Sequence, residues 1–393
     1  MKLISLMQNT IVIYAFSVGL EHVDVLRSDG SFTLAKLMGI FLAFGFFLHF
    51  FTRLPDTIDK RSVWEVSPIL VFLLLLLIQN VINFQSYSVT VLDSAFVLNL
   101  FVFMVILRFM KTQSGLIERS LKAFVAGALI SCVILTLGIG VEINTDGRHT
   151  IFGANYNELA FKFTAAFGLL LANFEKVRSG NIKRLSIVCC LLILVYGTIL
   201  TGSRSAILAI LITICIFSVL NESLPRSIRI VGVSLMAGFV VFQIINSTDL
   251  ISRFALFAIE TSETNDALGG RLIIWSVGLE ILQDSMIVGV GRSGYEHLVY
   301  LAAGHMHDPH NVLLETMLYT GIVGTLLILI FFVRIGSAAK NHHAMSRDPS
   351  SLYLVVPLIL MVMGQQIFGI KMFWLMSAVI LARSSKSYEE DSG

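Results

Sequence analysis

The sequence predicts an all-α polytopic membrane protein, and three observations carry that prediction. Of its 393 residues, 56% are hydrophobic and only 14% charged, with a mean hydropathy of +0.83. Apolar runs of about 18 residues or more recur along nearly the whole chain, each enough at about 1.5 Å per residue to cross a hydrocarbon core of roughly 30 Å. Lys and Arg gather in alternate connections, as they do in cytoplasmic loops. Such a composition excludes a soluble or disordered chain, and residues 1–393 read as one integral membrane domain.

About twelve spans follow, near 3–20, 32–52, 66–83, 91–109, 120–140, 157–174, 185–201, 205–220, 230–246, 311–333, 352–366 and 367–382. Each is helical, because a segment in lipid must satisfy its own backbone hydrogen bonds. The first opens with Met1-Lys2-Leu3 and shows no small-residue cleavage site after its apolar run, so it reads as retained. Cys132, Cys189, Cys190 and Cys215 lie inside spans as small apolar residues, implying neither disulfides nor a metal site. The sixth span carries Glu158 and Lys162 at i and i+4, read as an ion pair. Thr201-Gly-Ser-Arg-Ser205 joins the seventh and eighth in a turn so short that Arg204 must sit at or just below the interface. Residues 352–382 split into two short spans at Gln365-Gln366-Ile-Phe-Gly369.

With both termini inside, most of the 28 Lys and Arg residues fall on cytoplasmic segments, and the long connection 247–310 faces outward. The outward basic residues are Arg27, Lys36, Arg148, Lys162, Arg204, Arg253, Arg271, Arg292 and Lys371. A guanidinium held at the depth of Arg204 suits a phosphate, against the plainer reading of an arginine snorkelling to headgroups. Arg271 follows Gly269-Gly270 and opens a short helix, where anions favour the first turn. Leu272, Trp275, Leu279 and Leu282 fall on one face of that helix, which is too short to span and reads as lying on the membrane surface. Gly289-Val-Gly-Arg-Ser-Gly294 spells the dinucleotide fingerprint, yet without a strand-to-helix context its glycines read as turn residues.

The outer connection closes with His305-Met-His-Asp-Pro-His-Asn-Val-Leu-Leu-Glu315. Histidines and a carboxylate where a polar loop returns to the bilayer point to chemistry there. His305, His307, Asp308 and His310 are metal-ligand types, but no further His or Cys cluster completes a site, and ligands this close in sequence are geometrically awkward. The other reading gives His310 a proton-transfer or hydroxyl-orienting role, suited to an imidazole pKa of about 6.5. Asn311 is placed to cap the next span, and Gly321-Ile-Val-Gly324 to let it pack closely on another helix.

These residues carry a resemblance. His310-Asn-Val-Leu-Leu-Glu-Thr-Met-Leu-Tyr-Thr-Gly-Ile-Val-Gly324 is similar to the H-N-x-x-L…G-x-x-G segment of the O-antigen ligase and Wzy-type polysaccharide polymerase superfamily. The Thr201-Gly-Ser-Arg-Ser-Ala206 turn, Gly270-Arg-Leu-Ile-Ile-Trp275 and Gly289-Val-Gly291 agree with it in order. Upstream, Thr150-Ile-Phe-Gly-Ala-Asn-Tyr-Asn-Glu-Leu-Ala160 resembles the family's F-G-x-x-N-x-x-A stretch.

The resemblance implies a GT-C-like helical fold with a large extracytoplasmic loop carrying short helices. It implies a metal-independent glycosyltransferase of the bacterial cytoplasmic (inner) membrane, without a cofactor, its active site facing the periplasm or exterior. The donor would be an undecaprenyl-diphosphate-linked oligosaccharide, and the acceptor another glycan or a lipid A core. Membrane lipid, but no nucleic acid, would be contacted, and polysaccharide export or chain-length proteins would be the partners to look for. By this carry-over Arg204 and Arg271 clamp the diphosphate and His310 activates or orients the acceptor hydroxyl. Arg148, Asn157, Arg292 and His307 are then candidate glycan contacts. Polymerase and ligase stay open. A transporter or flippase of lipid-linked sugars is the alternative, although such proteins often show internal repeats and midplane charges, whereas the polar residues here collect toward the outer face. A cell-wall glycosyltransferase of the shape and division type would put the test on Asp284 or Asp308.

Overall fold

The computed structural model describes residues 2–21, 33–52, 60–82, 91–113, 115–143, 147–177, 181–221, 269–303 and 309–391, with single helical positions at 230, 234 and 238. Helices α1 (Lys2–Leu20), α2 (Leu34–Thr52), α3 (Lys60–Ile82), α4 (Val91–Thr112) and α5 (Leu116–Thr136) lead to a short hairpin, β1 (Val141–Ile143) and β2 (His149–Ile151). Then follow α6 (Tyr156–Lys176), α7 (Asn181–Leu200) and α8 (Arg204–Leu220). The last five are α9 (Gly269–Ser285), α10 (Gly291–Ala303), α11 (Val312–Ser346), α12 (Ser350–Val362) and α13 (Lys371–Asp391). Among the described residues, α1, α3, α4, α5, α7 and α11 are long and apolar enough to cross a membrane, and shorter apolar helices lie in α2, α8 and α12. The chain is a polytopic membrane protein.

The first eight expected spans each coincide with a helix. The ninth, 230–246, lies outside the described residues apart from positions 230, 234 and 238. The tenth is longer than its apolar core at 311–333, running on to Ser346. Residues 352–382 do divide, with a turn at 363–370 between α12 and α13.

Helix packing is close where side chains are absent. α1 crosses α5 at Gly19 and Gly127, where an added Cβ would stand 2.4 Å from Phe124 O and 2.3 Å from Phe16 O respectively. Small residues permit that approach, which replaces the missing hydrophobic drive between helices in lipid with dispersion contacts. α3 packs on α11, and α4 on α13. Between them lies an aromatic core: Phe368 stacks 5.3 Å from Phe72 and sits 4.8 Å from Phe96, and Trp374 stands 5.6 Å from Phe96 and 5.5 Å from Phe103.

Two breaks in helical backbone shape one end of this bundle. α11 is interrupted at Gly321, whose φ of 66° and ψ of −164° are open to glycine and hostile to other residues. Non-helical backbone inside an apolar bundle needs outside partners for its polar groups. The α9–α10 joint supplies them, Val290 N donating to Leu318 O at 2.8 Å and Ile322 N to Met286 O at 3.0 Å. Side chains are excluded from this seam: a Cβ on Gly289 would lie 2.6 Å from Thr320 N, and one on Gly321 2.1 Å from Ile287 O. Gly289 and Gly291 are left-handed turn residues, as expected. The expected close packing of Gly321 and Gly324 is thereby divided. Gly324 lets Phe72 of α3 approach, while Gly321 breaks the helix.

The second break is the 363–370 turn. Asn99 Nδ2 donates to Phe368 O at 3.2 Å and Gly369 O at 3.1 Å, and Trp374 Nε1 to Phe368 O at 2.9 Å. α12, at 13 residues, is about 20 Å long, shorter than the roughly 30 Å hydrocarbon layer.

At the opposite end, ion pairs tie the helices: Lys111 to Glu65 at 2.6 Å, Lys176 to Asp348 at 2.8 Å, and Arg383 to Glu118 at 2.5 Å. Burial pushes the Asp348 carboxyl up. The hydrogen bond from Lys176, the charge of Arg383 and the Ser350 N–H outweigh it and hold Asp348 well below the usual carboxylate range.

Candidate functional site

The hairpin, the first turn of α6, the α7–α8 turn, the approach to α11 and the 363–370 turn meet at one end of the bundle. The α7–α8 turn is built on Gly202, at φ 63° and so close to Arg148 that a Cβ there would lie 2.9 Å from its Cγ. Thr201 closes the turn, its hydroxyl donating to Thr198 O at 2.6 Å. Ser203 occupies the N-cap of α8 but does not cap it. Its Oγ turns away and donates to Asn157 Oδ1 at 2.8 Å, leaving the first N–H groups of α8 without a side-chain acceptor from Ser203.

Arg204 is the first residue of α8 and is exposed. With Gly147, Arg148, His149, Ile199, Leu200 and Gly202 it lines an open cleft of about 440 Å³. Arg148 lies over the Tyr156 ring at 4.7 Å, a cation–π contact that fixes its guanidinium. His149 Nδ1 is 3.2 Å from Leu200 O; since a carbonyl only accepts, that nitrogen carries the proton. Two guanidiniums, an imidazole and a helix N-terminus meet on one cleft, and groups of these kinds favour an anion.

A second cavity of about 340 Å³ is lined by Asn155, Tyr156, Asn157, Glu158, His310, Gly364, Gln365, Gln366, Gly369 and Ile370. Asn155 caps α6, accepting from Asn157 N at 2.9 Å and Glu158 N at 3.3 Å. His310 stands at φ 51°, a left-handed backbone uncommon outside glycine and clustered at functional sites. Its neighbours hold it there. Trp275 Nε1 of α9 donates to Pro309 O at 2.8 Å, and Asn311 caps α11 by accepting from Leu313 N at 3.0 Å and Leu314 N at 3.2 Å, as expected.

Behind this cavity lies a buried charge network. Lys162, fully buried, meets Glu158 and Glu21 at 3.1 Å each, and Lys371 closes on the other oxygen of Glu21. The expected Glu158–Lys162 pair is present, and it belongs to a larger cluster.

The structure thus brings His310, Asn157, Arg148 and Arg204 to one region. Arg292 is elsewhere: it pairs with Glu296 at 2.7 Å, its N–H donates to Asn80 Oδ1 at 2.8 Å, and it lines neither cavity. Arg271 occupies the first turn of α9, but its side chain lies outside the described residues, as do His305, His307 and Asp308. Of the residues expected on one face of this helix, Leu282 is buried, Leu279 is 59% exposed and Trp275 donates to Pro309 O, while the Leu272 side chain lies outside the described residues. α9 packs on α11, with Gly278 against Leu318. Sequence reading missed His149, whose neighbour Arg148 was a signal, and gave Gln365 and Gln366 no role beyond a turn.

Fold and site together define a polytopic membrane protein with a basic cleft near a polar cavity at one end. A family model described as O-Antigen ligase matches residues 189–329, a stretch that includes Arg204, Arg271 and His310. Over that stretch the chain is similar to O-antigen ligases, in agreement with the resemblance carried by its motifs. A search of curated proteins finds no match.

Proposed function

We propose that the protein is a GT-C-like membrane glycosyltransferase with about twelve spans. In this reading it transfers or polymerises an undecaprenyl-diphosphate-linked oligosaccharide at the outer face of the cytoplasmic membrane, and 247–310 is its outer loop. The observation that carries the reading is the basic cleft of Arg148, His149 and Arg204 at the uncapped start of α8, linked through the Ser203–Asn157 hydrogen bond to the cavity that His310 lines. The basic ion pairs at the opposite end, through Lys111, Lys176 and Arg383, support a cytoplasmic assignment there.

In the reaction, an acceptor hydroxyl attacks the anomeric carbon of the donor sugar. A new glycosidic bond forms, the sugar–phosphate bond breaks, and undecaprenyl diphosphate leaves with the bonding electrons. Arg204 and Arg148 stabilise the charge that develops on the leaving diphosphate, with Arg271 joining them by family likeness. His310 takes the hydroxyl proton or orients it. Guanidiniums in these roles make a divalent metal unnecessary, so chelator should leave transfer intact. Asn157 contacts the glycan, and Arg148 moves from glycan contact to diphosphate partner. The acceptor, a growing glycan or a lipid A core, decides between polymerase and ligase.

The test is reconstitution with undecaprenyl-diphosphate-linked oligosaccharide, following product length by gel. His310→Ala should lower transfer by about 10² to 10⁴-fold with the fold retained. A variant as active as wild type would remove His310 from the chemistry. The buried Glu21–Lys162–Lys371 cluster favours a second reading, a flippase, since charges inside a bundle mark ion-coupled pathways. Leaflet-to-leaflet movement of the lipid without transfer would establish it.

A further inference from the structure

The cavity beside His310 differs in chemistry from the cleft. No Lys or Arg lines it; its walls carry the amides of Asn155, Asn157, Gln365 and Gln366 with the Tyr156 ring and Glu158. Gln365 is only 5% exposed. Its Nε2 and that of Gln366 are buried without a hydrogen-bond acceptor among the described residues. Such orphaned amides are rare in native proteins, and both belong to residues that line this cavity.

The turn that carries them is rigid. Asn99 and Trp374 hold its carbonyls, and Phe368 plugs it into the aromatic core, so both glutamines are positioned before a ligand arrives. The volume, about 340 Å³, falls in the roughly 300–1,000 Å³ range of small-molecule sites.

We infer that this cavity is a sugar subsite in which Gln365 and Gln366 read the ring hydroxyls of the lipid-linked glycan. A neutral polyol suits it, because vicinal hydroxyls both accept from amide N–H groups and donate to amide carbonyls. The inference rests on the glycosyltransferase reading for the identity of the glycan. Asn157 links the two spaces: it lines this cavity and binds Ser203, next to Arg204 of the basic cleft. In this inference the diphosphate lies in the cleft and its attached sugar in the cavity.

The experiment uses the full-length protein in nanodiscs and three probes: lipid-linked oligosaccharide extracted from the source organism, undecaprenyl diphosphate made from it by mild acid, and the oligosaccharide so released. Wild type should bind the sugar-bearing lipid at least tenfold more tightly than undecaprenyl diphosphate. Gln365→Leu and Gln366→Leu should each erase about tenfold of that advantage while leaving the sugar-free lipid within twofold, and the free oligosaccharide should compete only in wild type. Two separate variants, each checked by thermal unfolding, protect against one that fails to fold. No advantage from the glycan, or one that survives both substitutions, overturns the subsite and leaves a water-filled cavity. Arg204→Gln is scored separately and should weaken both lipids alike. If it does not, while the glycan advantage still depends on Gln365, the diphosphate reading falls and the sugar subsite stands.

Discussion

The basic cleft and the amide-lined cavity are linked through Tyr156, under Arg148, and Asn157, bonded to Ser203, yet they are built on opposite principles. The cleft takes its character from charge on an exposed rim: Arg204 opens a helix, Arg148 lies on an aromatic ring, and a glycine turn lets them converge. The cavity takes its character from neutral amides on a turn locked into the core. Charge acts at range and tolerates variation in what surrounds it, whereas an amide discriminates only at contact. The pair would therefore separate the invariant part of a lipid-diphosphate donor from its variable glycan.

That contrast can be broken most severely on the cleft side. Arg204→Lys with Arg148→Lys keeps the charge and removes both planar forks, and should cut transfer about 10²-fold at unchanged fold. Wild-type turnover in the double variant would sink the clamp. Gly202→Ala should come next, at about a tenfold loss of transfer. It forces a left-handed residue to carry a Cβ, at about 1–2 kcal/mol, and presses that Cβ to 2.9 Å from the side chain of Arg148. Glycan binding at Gln365 should survive it, which sharpens the distinction.

Smaller effects report on the scaffold. Trp275→Phe removes the hydrogen bond to Pro309 O and should loosen His310, costing about 1 kcal/mol of stability and a few-fold in transfer. The rate should fall without any change in lipid affinity. Asp348→Asn, at the far end, should leave transfer untouched and lower the melting temperature slightly at neutral pH. The Asp348 pKa is depressed in the folded state, so its contribution is complete above the unfolded value of about 4 and is lost as pH falls below it. The gap between variant and wild type should then narrow in acid, and a constant gap would assign Asp348 a packing role only.

Local signals in the sequence translated well. The apolar runs located helices, Asn311 announced a cap, the Thr201–Ser205 turn announced an arginine at a helix start, and the Glu158–Lys162 spacing announced an ion pair. What escaped was long-range. Nothing near Glu158 in the chain shows that Glu21 and Lys371 complete its cluster, because those contacts depend on which helices become neighbours. Gln365 and Gln366 looked like an ordinary loop between two spans, since their importance lies in being buried, which a sequence window does not record. Gly321 looked like a helix-packing glycine, because a broken helix and a close helix crossing leave the same letter.

The seam between residues 286–290 and 318–322 is written in main chain, with no side chain between the two strands of backbone. Main-chain atoms are identical whatever the residue, so the hydrogen bonds of the seam do not depend on which side chains flank it. What the seam itself requires is the absence of a side chain at Gly289 and Gly321 and a fixed number of residues between them and Trp275, while Leu318, Tyr319 and Thr320 are constrained separately by their burial. A deletion of one residue in α9 would shift the whole seam relative to Trp275, which no single replacement does.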